Sequence, residues 1–192
     1  MTIYNILSLT VALICTKILN MNTSINEEKL NSIQNFRMPR YHELPNVGLY
    51  LEQTAKYINS FLMPLGCMEI TTSMISNYVK KKLIDGPVKK QYYADQIAYL
   101  FFIVIAKNIL SMEHIQKLFI LQKETYTNQV AYDYFCCELE NHIFYLFGLK
   151  DTIEQIGTTS SPTKKMLRSV LISTSHIIYL NSFFQSSDNK IE

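Results

Sequence analysis

A chain of 192 residues, 48% of them hydrophobic, can bury a core as one domain or as a small domain with an accessory one. Five Gly and five Pro are too few for the turns of a sheet-rich fold, so helices are expected. A formal net charge of +2 excludes whole-molecule attraction to nucleic acid, and only a local patch can serve an anionic partner.

Residues 3–21 are apolar enough to resemble a signal peptide or a short membrane span. No Lys or Arg precedes the run and no small-residue cleavage site follows it, while Asn5, Ser8, Thr10, Thr16 and Lys17 interrupt it. Met21 stands directly before a polar stretch, so translation is expected to begin there; a packing helix or a membrane anchor are the alternatives. Residues 22–35 read as a polar helix capped by Asn26. Pro39 and Pro45 then force residues 36–45 into an extended segment. Leu49, Leu51, Ala55, Ile58, Phe61 and Leu62 recur at helical spacing, and Pro64 to Gly66 end that element.

Thr71 or Thr72 can cap a short helix with an apolar stripe of Met74, Ile75, Tyr78, Val79 and the aliphatic stem of Lys82, broken by Asp85-Gly86-Pro87. Between Tyr78 and Tyr92 stand five lysines (Lys80, Lys81, Lys82, Lys89 and Lys90) against the single acid Asp85. Residues 89–93, short, basic and aromatic, suit a small strand or wing. Residues 95–109 form an almost wholly apolar helix that must be buried. Ser111 caps another, with Met112, Ile115, Leu118 and Phe119 on one face. Over 126–148 the stripe is Tyr126, Val130, Tyr134, Phe135, Leu139, Ile143, Leu146 and Phe147, with Gly148 as stop signal. Ser161-Pro162 opens a last helix. Its seam of Leu167, Val170, Leu171, Thr174, Ile177 and Ile178 is the expected homodimer contact, within 162–180, packing on the 126–148 helix of the same chain being the alternative, and the tail frays from Ser186.

Catalytic chemistry finds no support. The sequence has no GxSxG, no Gly-rich phosphate loop, no HExxH and no cysteine beside a credible base, so no enzyme activity is expected. Cys15, Cys67, Cys136 and Cys137 form no CxxC pair and read as reduced thiols of a cytoplasmic protein. Glu138 and His142 sit four apart on one helix, but two ligands do not make a metal site; no metal or cofactor is expected. Membrane association is not expected either.

What remains is a helix, a turn, a short polar helix, a breaker, a basic wing and a buried helix. That order gives the fold class: all-α, a winged helix-turn-helix with a small basic wing and a helical C-terminal part. Short hydrogen-bonding side chains on the second helix (Thr72, Ser73, Ser76 and Asn77) can approach base edges. Lys80, Lys81, Lys89 and Lys90 can neutralise phosphates, with Tyr78, Gln91 and Tyr92 adding polar backbone contacts. The expected divisions are an N-terminal segment 1–35, a DNA-binding domain 36–121 and an accessory or dimerisation region 122–185. The expected partner is double-stranded DNA; any small-molecule effector is unspecified. A protein-interaction module that keeps the winged fold is the alternative.

The run Ile70-Thr71-Thr72-Ser73-Met74-Ile75-Ser76-Asn77-Tyr78-Val79-Lys80-Lys81-Lys82-Leu83-Ile84 resembles a Gram-positive bacterial family, domain of unknown function eighteen-thirty-six. Lys89-Lys90-Gln91-Tyr92 and Gln96-Ile97-Ala98-Tyr99-Leu100 carry the same likeness. So do Phe36-Arg37-Met38-Pro39-Arg40-Tyr41-His42-Glu43-Leu44-Pro45-Asn46 and Ile109-Leu110-Ser111-Met112-Glu113-His114-Ile115. The family is in turn similar to the MerR regulators, which implies a dimeric DNA-binding transcriptional regulator. Tyr78 with Leu83 and Ile84 falls on the MerR tyrosine and on the residues closing its recognition helix. Ser76 stands where MerR proteins carry an arginine, Asn77 for one of the paired tyrosines, Lys82 for the turn glycine, and Lys90 or Gln91 for the wing arginine. Those departures favour plain repression over activation by DNA distortion.

Overall fold

A computed structural model describes residues 25, 27–67, 69–157 and 161–188. The apolar run before Met21, the start at Met21, the Asn26 cap and the tail beyond Asp188 lie outside them. The described chain is mainly helical, with seven helices and two short strands. None of these helices is long and apolar enough to cross a membrane.

Helix α1 (Glu27–Gln34) carries Glu27 and Glu28 in its first turn, where the helix dipole favours acids, and buries Ile33. The proline-restricted stretch after it is extended as expected and is latched to a distant helix. Helix α6 (Asn128–Leu146) presents Glu140, which accepts from the Met38 amide at 2.8 Å and takes both terminal nitrogens of Arg40 at 2.8 and 2.6 Å. Asp133 of the same helix accepts from the Tyr41 amide at 2.7 Å. The Tyr41 hydroxyl reaches Asp95 on α4 (Ala94–Ala106) at 2.5 Å.

Strand β1 (Leu49–Tyr50) leads straight into α2 (Leu51–Leu62), and Gln53 accepts from the Tyr50 amide at 2.9 Å to close its first turn. A 3-10 turn (Met63–Leu65) and Gly66 at φ 64° end that element. Thr71 then caps α3 (Thr72–Lys80), accepting from the Met74 amide at 3.3 Å. Strand β2 (Gln91–Tyr92) returns antiparallel to β1, Leu49 facing Tyr92 and Tyr50 facing Gln91. Gly48 is required there: an added Cβ would lie 2.5 Å from the Gln91 Cβ.

Helix α4 is the centre of the molecule. Its residues from Ile97 to Ala106 are buried except the half-buried Tyr99, because apolar side chains occur all round it. On one side Phe101 meets Tyr57 and Phe61 of α2, with centroids 6.2 and 6.1 Å away; on the other it meets Tyr132 of α6 at 6.1 Å. Phe102 packs edge-on against Phe135 at 5.6 Å and tilted against Phe119 of α5 (Met112–Thr125) at 5.5 Å. Ser111 and Thr127 cap α5 and α6, accepting from the His114 and Val130 amides. Gly148 at φ 71° terminates α6 with the Leu149 amide donating back to Phe144 at 2.8 Å. The core is one continuous cluster from Ile33 to Ile178, so it runs across the boundary expected at residue 121.

Helix α7 (Pro162–Asp188) starts on the Ser161 cap, whose hydroxyl accepts from the Lys164 amide at 3.1 Å. Its seam packs as the intramolecular alternative has it. Val170, Leu171, Thr174 and Ile178 are buried within the single chain, Leu171 at 0% exposure, and Leu167 and Ile177 are half-buried. The most extensive helix pairing in the molecule is α6 against α7, and Thr174 reaches the Ile105 carbonyl of α4. The periodicity marked a buried face correctly, and the chain's own helices cover it, so this seam is not open to a second copy. Outward-facing Met166, Leu180 and Phe184 are the exposed large apolar side chains of α7.

Candidate nucleic-acid interface

Helix α3 is fixed on its inner side by Ile75 and Tyr78, both buried. Asn59 of α2 sets its entry. The Asn59 amide accepts from the Ile70 N–H at 2.9 Å and donates to the Ile70 carbonyl at 3.0 Å, so the turn between the two helices is bridged from both faces. Sequence reading passed over Asn59; a lone polar residue on an amphipathic helix gives no signal of a bond eleven residues ahead.

Ser73, Ser76 and Asn77 are exposed on α3, and Thr72 is half-buried. Ser73 shares a 2.9 Å hydroxyl contact with Thr71, and the Ser76 hydroxyl bonds back to the Thr72 carbonyl at 2.9 Å. Both hydroxyls are thereby held against the helix, leaving Asn77 as its exposed side-chain amide.

The end of α3 departs from expectation. Lys82 was expected to extend the apolar stripe; instead it is exposed and lies beyond the helix with φ 55°. The Lys82 amide donates to the Val79 carbonyl and the Leu83 amide to the Tyr78 carbonyl, each at 2.9 Å. Those two bonds are the glycine-type helix stop, formed with a lysine in the left-handed position. The true break therefore precedes Asp85.

Residues 88–91 form a two-residue hairpin: the Val88 and Gln91 amides and carbonyls exchange both bonds at 2.9 Å. Lys89 and Lys90 at its tip have φ 49° and 65°. Positive φ at both central residues defines the turn that strand twist prefers, a turn normally supplied by Asn-Gly or Gly-Gly. Gln96 braces the hairpin from behind, accepting from the Tyr93 amide at 2.8 Å and donating to the Gly86 carbonyl at 2.6 Å. Gln91 spends its amide nitrogen on the Gly48 carbonyl at 3.1 Å.

Lys80, Lys81, Lys82, Lys89 and Lys90 are all exposed, and none forms an ion pair among the described residues. Ser76 of α3 and Lys90 of the hairpin line the same open groove, which brings helix and hairpin to one surface; Glu52 also lines it. Tyr78 and Tyr92 are placed differently from the other candidates, at 4% and 3% exposure. Burial pushes both phenols above their ordinary range. They secure the helix and the strand from within.

Away from this surface, burial raises the thiols of Cys67, Cys136 and Cys137, Cys67 to about 11. Glu138 and His142 are buried between α6 and α7, 3.4 Å apart at their nearest polar atoms, with the Tyr134 hydroxyl donating to Glu138 at 2.6 Å. Among the described residues no three potential ligands gather around a metal position.

Neither the curated proteins nor the solved structures contain a match to this chain. The family model described as Domain of unknown function (DUF1836) matches residues 39–135, from the latched segment through the first part of α6. That match takes in just over half of the chain, both helices of the candidate surface, the lysine hairpin and the buried helix behind them, and the chain belongs to the DUF1836 family.

Proposed function

We propose that the protein is a DNA-binding transcriptional regulator, a MerR-like winged helix-turn-helix in which α3 enters the major groove and the 88–91 hairpin is the wing. The reading includes a homodimer, repression as the mode of action and a cytoplasmic location. One observation carries it. Among the described residues, the three non-glycine residues with positive φ are Lys82, Lys89 and Lys90, all exposed and all in the basic patch. Left-handed backbone disfavours any residue with a Cβ, so lysine at these positions opposes stability; a need for positive charge there accounts for it. Asn77 and the lysines of the α3 terminus complete a division between base readout and phosphate contact. Since the α7 seam is occupied by α6, the dimer contact is assigned to the outward side of α7 that carries Met166, Leu180 and Phe184.

The test is a titration of double-stranded DNA from the protein's own upstream region, followed by fluorescence anisotropy across a range of salt. Replacement of Lys81 or Lys90 by Ala should weaken binding on every sequence and reduce the log–log salt slope by about one unit each. Asn77→Ala should cost about 1–3 kcal/mol on the specific site and far less on random DNA. Absence of salt-dependent binding would overturn the reading in favour of a protein-interaction module.

A further inference from the structure

A second feature lies on the opposite side of α4 from α2. Among the described residues, α4, α5, α6 and the start of α7 form a half-open pocket of about 210 Å³. Aromatic rings wall it: Tyr99 and Phe102 of α4, Phe119 of α5 and Phe135 of α6. Ring centroids of Tyr99 and Phe119 lie 4.5 Å apart, so these walls are packed against one another and the space is preformed. Ala98 and Ala131 face it from two different helices. Larger aliphatic residues there would fill the space and gain contacts, so the alanines keep open a void that simple core packing would close.

The one polar corner is ordered. Gln122, 8% exposed, donates from its amide nitrogen to the Tyr126 carbonyl at 2.8 Å, which fixes its oxygen toward the Tyr99 hydroxyl at 2.9 Å. The same hydroxyl lies 2.8 Å from the Asn128 amide oxygen. One hydroxyl carries one proton, so Tyr99 can satisfy the Asn128 oxygen or the Gln122 oxygen but not both, and the other is left as an acceptor at this corner. The charged lining groups are already engaged. Asp95 holds the Tyr41 hydroxyl, and the Lys164 ammonium donates to the Ile156 carbonyl at 2.7 Å and sits 4.8 Å from the centre of the Tyr134 ring. Hydrogen bonds to neutral partners leave both charges in place, one of each sign, so a charged ligand would lose its hydration for no net attraction from the lining.

We propose that this cavity binds a small, flat, neutral aromatic molecule of about ten heavy atoms bearing one N–H or O–H, with the ring against Phe102 and Phe119 and the donor on the pair of amide oxygens of Gln122 and Asn128. Size agrees: a dry apolar cavity of about 150 Å³ holds benzene, and the space here admits a fused or substituted ring. The site stands apart from the DNA reading, because nothing in its argument or its test involves nucleic acid.

Indole is the probe. The chain contains no Trp, so with excitation at the red edge, beyond the absorption of its 13 Tyr, the emission of indole reports its own environment. Added to the full chain, indole should show a saturable blue shift with a Kd between about 10 µM and 1 mM, the range open to a ligand of nine heavy atoms. It should also raise the melting temperature. Charged indole-3-acetate should bind at least tenfold more weakly. Ala131→Phe should weaken indole at least tenfold with unchanged circular dichroism; should that variant not fold, Ala98→Leu serves the same purpose. The proposal is overturned by an absent blue shift, by unchanged affinity in whichever filling variant folds, or by indole-3-acetate binding as tightly as indole.

Discussion

Replacing Lys89 by Asn and Lys90 by Gly together separates the stability of the hairpin from its charge. Both lysines occupy left-handed backbone, at φ 49° and 65°, in a turn whose two ladder bonds are short and fully formed. A non-glycine residue held there costs about 1–2 kcal/mol, and an Asn-Gly pair relieves most of that at both positions. Glycine returns part of the gain through the greater freedom of the unfolded chain, roughly 0.5–1 kcal/mol. The net is a stabilisation of about 1 kcal/mol, which for a chain of 192 residues raises the melting temperature by roughly 2–4 °C. The same variant removes two cations and should lower the salt slope of DNA binding by roughly two. Replacing both lysines by Gln is the control: it should lower the slope equally without raising the melting temperature. Calorimetry and anisotropy on the three proteins suffice. A double variant that melts no higher than the parent refutes the account of the strained turn, and one that melts higher with an unaltered slope removes the hairpin from the DNA surface.

Arg40→Ala should destabilise by about 3–5 kcal/mol, because Glu140, with its side chain only 12% exposed, would keep a single amide partner; denaturant titration gives the value, and a loss under 1 kcal/mol would show the latch to be dispensable. Gly48→Ala should cost about 1–3 kcal/mol, since β1 and β2 must part to admit the methyl group; an unchanged denaturation midpoint would contradict the 2.5 Å approach. The pH dependence of stability should carry the signature of His142. Burial, with help from Arg168 and His176 and against the pull of Glu138, lowers its pKa below the ordinary value of 6.5. The unfolded chain therefore binds this proton more readily, and stability should fall as pH drops below about 6.5 towards the folded pKa. His142→Gln should flatten that segment of the melting-temperature profile; an unflattened profile would assign the loss to other groups.

Much of the helical framework was legible because a buried face writes its period into the sequence. The stripe Phe135, Leu139, Ile143 on α6 and the all-apolar α4 were readable from spacing alone. Capping was readable too, at Thr71, Ser111 and Ser161, where a hydroxyl precedes the first helical turn. Period reports that a face is covered and not what covers it, which is why the α7 seam left a second chain and the chain's own α6 both open. The hairpin tip was opaque for the opposite reason: Lys89-Lys90 lacks the Asn or Gly by which such turns are recognised, and only the backbone geometry betrays it. Tyr78 and Tyr92 carry both a ring and a hydroxyl, and sequence cannot decide which of the two the fold uses. The latch of Arg40 on Glu140 joins residues 100 positions apart, beyond the reach of any local pattern.

That same separation has a consequence during synthesis. A ribosome adding about 5–20 residues per second needs roughly 5–20 s to travel from one side of the latch to the other. In the second half of that interval α3 and the basic hairpin have been made, while Phe101 still lacks Tyr132 and Phe102 still lacks Phe135. The half of the molecule that carries the basic hairpin therefore emerges before α6, which supplies Tyr132 and Phe135 to the central helix. A piece ending at residue 121 would lack those partners, and the apolar face of α4 that meets them would lie open.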